Sequence, residues 1–262
     1  MATQPIRFDD GAAYERLMGI WSGIVGHVFL DWLSPAPGQR WADIGCGNGA
    51  FTELILRRCA PANVHGIDPS DGQLAYARTR PGAHGAVFQQ GSALALPYAD
   101  ASFDIAVMAL VIHFVPDPAK GVAEMTRVVR PGGWVASYVW DDSAGRSPTQ
   151  PLQTAIVLEG GDDVMPPSSW VTHMDRLRDL WMQVGLRDVD TRVFTVQRTF
   201  EDFESFWTAN SGGGRPRASL ASLGPEATER VKDRVRAMLP PDATGRITYP
   251  AQANAIRGRV PG

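Results

Sequence analysis

The sequence predicts an α/β domain built on a doubly wound, mostly parallel sheet with helices on both faces. Three observations carry this expectation. Between Arg40 and Asp141, apolar strand-like runs alternate with helical segments through short connections. A glycine-rich loop, Gly45-Cys46-Gly47-Asn48-Gly49, follows the first strand and opens a helix. The 262 residues are 44% hydrophobic and 20% charged, a balance that suits a folded chain with a sizeable core. One domain over 1–262 is expected. It divides into N-terminal helices (1–38), a core (39–145), further core elements with a helical cap (about 146–240) and a final strand (about 241–262).

The elements follow in order. Ala12–Leu33 reads as one or two helices, with apolar residues such as Leu17, Trp21, Ile24, Val28 at helical spacing, and Pro35 and Pro37 end it. Trp41–Gly45 reads as a short buried strand, Phe51–Cys59 as a helix and Val64–Asp68 as a strand. Asp71–Arg80 reads as a helix for which Ser70 or Asp71 is the cap. Ala86–Gln90 is a strand, and Phe103–Ile112, the most apolar run, fits a central strand covered on both faces. Pro118–Val129 is a helix and Trp134–Trp140 a strand. Beyond Asp141 the regularity weakens. Helices are expected over Pro151–Gly160, His173–Val184, Phe203–Asn210 and Glu226–Leu239, and strands over Val189–Thr199 and Arg246–Ile256.

Composition narrows the function classes. Lys and Arg number 25 against 28 Asp and Glu, for a net charge of −3. Binding to nucleic acid or to an anionic membrane wants a basic surplus, so neither is expected as a partner. The two cysteines, Cys46 and Cys59, cannot build a disulfide scaffold, and no Cys/His cluster points to a metal. Asp9 and Asp10 stand where a signal peptide would carry bases. The longest apolar stretch, about Ile105–Val115, is shorter than the roughly 20 residues of a membrane span. A cytoplasmic protein is therefore expected.

The glycine loop lets backbone approach a ligand closely, and the helix after it offers unpaired N–H groups. Gly45-x-Gly47-x-x-Ala50 also fits a dinucleotide fingerprint. Asp43, two residues before the first glycine, discriminates between ligands. A pyrophosphate there would meet a carboxylate, whereas the ammonium of S-adenosylmethionine would be attracted to it. Asp68, at the end of the second strand, can accept the two hydroxyls of a ribose.

Further along, four motifs fall in order. Asp43–Gly49 reads D-x-G-x-G-x-G, and Ile67-Asp68-Pro69-Ser70 follows the second strand. Gly91-Ser92-Ala93-Leu94-Ala95-Leu96-Pro97 precedes Ser102-Phe103-Asp104, and Val128-Val129-Arg130-Pro131-Gly132-Gly133 precedes the fifth strand. Together these resemble the class I S-adenosylmethionine-dependent methyltransferases, in particular the broad type 11 group acting on small molecules. The resemblance spans roughly Tyr14–Asp141. It implies a Rossmann-like sheet with a late antiparallel strand, S-adenosylmethionine as cofactor with S-adenosylhomocysteine as product, and a small-molecule methyl acceptor. It further implies a lid carrying Tyr14, Met18 and Trp21 over the cofactor. The cofactor contacts it implies are Asp43, Gly45, Cys46, Gly47, Asp68, Pro69, Gln73, Ser92, Ala93, Leu94, Ala109 and Leu110. One departure is Ser92, where the family usually has Asp to accept the adenine amino group; a hydroxyl accepts that bond more weakly.

His113 follows the central strand and is the first candidate for a general base, against the plainer reading of a buried structural histidine. Trp140, Trp170 and Trp207 are candidates for the acceptor pocket, against ordinary core. The expected chemistry is methyl transfer to an O, N or C nucleophile, driven by alignment rather than by a protein nucleophile. Two rival readings are an NAD-dependent oxidoreductase and a cofactor-binding module without turnover. The oxidoreductase would leave Asp43 and the Leu96-Pro97…Phe103-Asp104 stretch unexplained.

Overall fold

The computed structural model describes residues 18–262, the side chains of 214 and 215 excepted. A seven-stranded sheet runs through its centre: β1 Arg40–Ile44, β2 Asn63–Asp68, β3 Ala86–Gln90, β4 Phe103–Ala109, β5 Val129–Trp140, β6 Arg187–Phe200 and β7 Ile247–Arg259. The strand order is β3-β2-β1-β4-β5-β7-β6. The first five strands pair in parallel, and β7 runs antiparallel to both β5 and β6. The fold is thus Rossmann-like with a late antiparallel strand, as the motifs imply.

Nine helices longer than a single turn are described: α1 Ile20–Leu33, α2 Ala50–Cys59, α3 Asp71–Thr79, α4 Pro118–Val128, α5 Gln150–Leu158, α6 Met174–Gln183, α7 Phe203–Ser211, α8 Gly214–Leu220 and α9 Gly224–Met238. Their starts are written in the sequence. Ser70 accepts from the Gln73 N–H at 3.3 Å, Asp117 from Lys120 at 3.0 Å ahead of Pro118, and Asp202 from Ser205 at 2.8 Å.

Strand alternation assigns each side chain to one of two cores. Trp41, Ile105, Val107, Ala136 and Tyr138 face α1 and α2, while Ala42, Ala106, Met108, Val135 and Val139 face α4 and α6. Trp21, Trp41 and Trp181 are wholly buried, and Trp181 Nε1 donates to the Val135 carbonyl at 3.1 Å. Helices α7–α9 lie in the connection from β6 to β7, and the segment holding α5 and α6 joins β5 to β6.

Several expected boundaries shift. The central strand stops at Ala109 rather than Ile112, because Leu110 turns left-handed (φ 62°) and Ile112–Phe114 forms a 3-10 turn. Strand β5 begins at Val129, which pairs with Phe103 five residues before Trp134; between them the register with β4 is irregular and Gly132 is left-handed at φ 76°. Strand β7 runs on to Arg259, and α8 was not expected at all. Tyr14 and the helix start at Ala12 lie outside the described residues.

A clasp at the amino edge of the sheet fixes three strands. Asp104, opening β4, accepts from the Arg40 N–H at 2.7 Å and from Arg40 Nε at 3.1 Å, and also from Arg130 Nε. Desolvation works to raise its carboxyl, but the Arg40 and Arg130 donors prevail and hold it well below the usual carboxylate range. At the opposite end of the chain, the Arg257 guanidinium of β7 donates to the Trp32 carbonyl at 2.9 Å and lies over the Trp32 and Trp134 rings. It ties the end of α1 to the last strand.

Candidate active site

At the carboxyl edge of the sheet, where β1 and β4 part to opposite neighbours, lies a cavity of about 450 Å³. That is the place and size expected of a small-molecule site in a doubly wound fold. Its floor is the glycine loop. The Gly45 and Cys46 N–H groups both donate to the Ile67 carbonyl, at 2.7 and 3.0 Å, and bend the chain sharply off β1. Gly45 has φ 74°, and a Cβ there would stand 2.5 Å from Val111 Cγ1. Gly47, φ 52°, is different: a Cβ on it would have only Gln73 Oε1 within 4 Å, at 3.9 Å. The loop therefore turns bare backbone toward the cavity at Gly47.

Two carboxylates end the strands beside this loop. Asp43 is wholly buried; its Oδ2 accepts from Thr52 Oγ1 at 2.6 Å, while Oδ1 has no partner among the described residues. Burial pushes its carboxyl up to about 7, against the Thr52 hydrogen bond, and the Asp68 charge adds to the rise. Asp68 Oδ2 accepts from the Gly47 N–H and Oδ1 from the Ser70 N–H, each at 2.9 Å. Burial raises Asp68 too, opposed by those two donors. A cavity holding two such acids is built to receive positive charge or hydroxyl donors.

Cys46 lines the cavity, but burial first, then the charges of Asp43 and Asp68, push its thiol well up, so it stays protonated and unreactive. The remaining wall comes from the Ser92–Leu94 turn and the 3-10 turn after β4. Ser92 Oγ accepts from the Leu94 N–H at 3.2 Å, so the hydroxyl first secures its own turn. That turn is anchored from behind: the Leu96 N–H donates to Glu124 at 2.8 Å, and Arg127 reaches the Leu96 and Tyr98 carbonyls.

Of the residues singled out from sequence, Asp43, Gly45, Cys46, Gly47, Asp68, Pro69, Gln73, Ser92, Ala93, Leu94, Ala109 and Leu110 all border this cavity. Other expectations need correction. His113 is buried beneath Phe114, ring centroids 4.0 Å apart, and is not part of the wall, although Val111, Phe114, Val115 and Pro116 around it are. Trp21 and Trp140 pack edge to face at 6.0 Å in the core behind the wall. Met18 packs against the same core, not on the wall. Trp170 is 46% exposed, on a turn pinned by its neighbour Ser168 to the Val115 and His113 carbonyls. Trp207 stacks on Phe203 and lies under Lys232, also away from the wall.

Sequence reading missed Ser22, Phe51 and Phe114. Tyr138, which the sequence puts at the end of the fifth strand facing the crevice, does line the cavity and pairs with Ala109 across the sheet. Ser22 is four residues after Met18, on the stripe assigned to the lid, but an apolar periodicity passes over a serine.

A methyltransferase-domain family model matches residues 42–137, the span holding the loop, both carboxylates and the Ser92 turn. Over 203 residues the chain is 30% identical to the ubiquinone/menaquinone biosynthesis C-methyltransferase UbiE of Dinoroseobacter shibae, covering 74% of each protein. The chain belongs to the class I S-adenosylmethionine-dependent methyltransferases. Against the UbiE protein of Roseobacter denitrificans this methyltransferase is 33% identical over 110 residues, 40% of its own length and 44% of that protein's. Phosphoethanolamine N-methyltransferase 2 of Haemonchus contortus, solved with S-adenosyl-L-methionine, superposes with a TM-score of 0.58 at 19% identity. The match covers 95% of this chain and 56% of that one, and it speaks for the fold alone. The methyltransferase uses S-adenosylmethionine. Among the described residues no group of His, Cys, Asp and Glu is arranged to hold a metal, and no helix is long and apolar enough to cross a membrane.

Proposed function

We propose that the cavity holds S-adenosylmethionine and that the enzyme transfers its methyl group to an O, N or C nucleophile of a small molecule. The observation that carries this reading is the unpaired, buried Oδ1 of Asp43, beside Asp68 and an open glycine backbone. The residues fit the cofactor by chemistry. Asp43 would hold its ammonium, Asp68 its ribose hydroxyls, and the Ser92–Leu94 turn its adenine edge. Gly45–Gly47 would let its amino-acid end lie against backbone.

When bound, the cofactor supplies a carbon already activated by the adjoining sulfonium. The chain's own residues then bind, orient and exclude water. Alignment of two reactants is worth about 7–11 kcal/mol in well-oriented systems, which makes a protein nucleophile unnecessary. With His113 out of the wall, no side chain stands out as a general base. The reading therefore favours an acceptor acidic enough to lose its proton without one.

Calorimetric titration with S-adenosylmethionine, S-adenosylhomocysteine and NAD tests the site. The first two should bind in the micromolar range and NAD should not. Asp43→Ala should weaken S-adenosylhomocysteine at least tenfold; an unchanged affinity would remove Asp43 from the site. Release of S-adenosylhomocysteine with any member of an acceptor panel would establish turnover.

A further inference from the structure

Strand β6 is last in the sheet order, so one side of its backbone has no neighbouring strand. Proteins usually keep such edges short, or guard them with Pro, Lys or a bulge. The other outer strand, β3, follows that rule: it has five residues, and Arg78 donates to its Phe88 carbonyl at 3.0 Å. Strand β6 has 14 residues, with neither Pro nor Lys among them. Its irregularity is confined to the Asp188 end, and from Asp190 to Phe200 the register with β7 is unbroken. Among the described residues, only β7 hydrogen-bonds to that backbone.

An apolar surface continues from this edge onto α1. Ile20, Ile24, Val28 and Trp32 recur every four residues and so share one face of the helix. Ile20 is 53% and Val28 37% exposed, and Ile24 and Trp32 are half-buried. Val28 and Trp32 line an open groove together with Arg192, Phe194 and Thr195 of β6. Val193, in the middle of the strand, is 50% exposed. An apolar stripe beside an open strand edge is the surface that protein partners take up.

The charges along β6 select the partner. A second copy related by a two-fold axis normal to the sheet would lay its own β6 antiparallel alongside. With Phe194 on that axis, Asp190 of each copy stands opposite Arg198 of the other, on the same face. Arg192 then faces Val196, and no like charges oppose each other. An axis at Arg192 would set that arginine against itself, and one at Thr195 would set Arg192 against Arg198. An axis at Val193 would offer Arg198 only Asp188, which turns left-handed at φ 50° where the ladder breaks. Both members of the favoured pair have capacity to spare. The Asp190 side chain is 51% exposed although Arg257 holds it at 3.0 Å. Arg198 lies over the Phe200 ring, and its Nη1 has no hydrogen-bond partner among the described residues. We propose that the free edge of β6, with the α1 stripe beside it, is the interface of a homodimer in which the two sheets join antiparallel about Phe194.

A charge exchange tests this on the full chain, with the dimer dissociation constant read by sedimentation velocity between 1 and 100 µM. Wild type should dimerise in that range or below it. Asp190→Arg and Arg198→Asp should each weaken the dimer at least tenfold, by opposing like charges twice across the axis. The double variant should return to within about threefold of wild type. Positions 190 and 198 lie eight residues apart on one strand, about 27 Å at the rise of a strand, so they cannot rescue each other within one chain. Val28→Asp, on the helix stripe, should weaken the dimer tenfold as well. If Asp190→Arg fails to fold, Arg198→Asp and Val28→Asp carry the test. A wild-type monomer at 100 µM, single variants that dimerise as tightly as wild type, or a double variant no tighter than the singles would overturn the interface.

Discussion

An unpaired carboxylate oxygen inside a protein calls for a proton or a cation. In Asp43 the proton is held in the unliganded protein up to about pH 7. The native state thus carries a proton that the unfolded chain, with an ordinary carboxylate, has lost above about pH 4. By linkage, this residue's contribution to stability falls as pH rises from about 4 to 7. A cation in the cavity reverses the preference, so binding expels that proton below pH 7. S-adenosylhomocysteine affinity should therefore climb between pH 5.5 and 7, with proton release visible as a buffer-dependent calorimetric enthalpy. Asp43→Asn should bind roughly 10–100-fold more weakly, the worth of a charge-assisted hydrogen bond, with a flat pH profile over that range. Asp43 and Asp68 were legible at this scale because a charge next to a glycine loop has few structural uses. His113 was not, because a histidine ending an apolar run looks the same whether its ring faces the cavity or, as here, packs on Phe114.

At the scale of elements, the glycine loop and the 3-10 turn after β4 are fitted to each other. Gly45→Ala would drive its new methyl into Val111 and strain a left-handed backbone, for a loss of about 1–3 kcal/mol. Adding Val111→Ala should return part of that loss, and a double-mutant cycle by urea denaturation reads the coupling. The Asp104 clasp answers a different question about the Ser102-Phe103-Asp104 motif: its acid lies at the edge of the sheet remote from the cavity and joins β1, β4 and β5. Asp104→Ala should cost about 1–3 kcal/mol in a denaturant midpoint, discounted from the buried-pair range because Arg40 and Arg130 are 39% and 44% exposed. Since its carboxyl is held low, that contribution is present above about pH 4 and fades as acid protonates it. S-adenosylhomocysteine affinity should stay within twofold of wild type. The strands up to β5 were readable because each is a short apolar run between glycines or prolines. The end of β4 was not, because Leu110, Val111 and Ile112 continue the apolar pattern while the backbone turns.

For the whole molecule, any ligand that binds the native state alone raises its stability by mass action. S-adenosylhomocysteine at 100 times its Kd adds about 2.7 kcal/mol, or roughly 5–10 °C in Tm for a chain of this size, and NAD should add nothing. Scanning calorimetry with both compounds checks this. The wall outside the motifs is the part the sequence concealed. It takes in Ser22, Phe51 and Phe114, which tertiary packing brings to the cavity and which belong to none of the four motifs. The Arg257 tie has a consequence during synthesis. Ser22 sits on the helix whose far end Arg257 grips, yet 225 residues of sequence separate Trp32 from that guanidinium. A nascent chain on the ribosome exposes the loop and both acids long before β7 emerges. The stretch of wall that Ser22 belongs to is therefore tied down only once the last strand has paired.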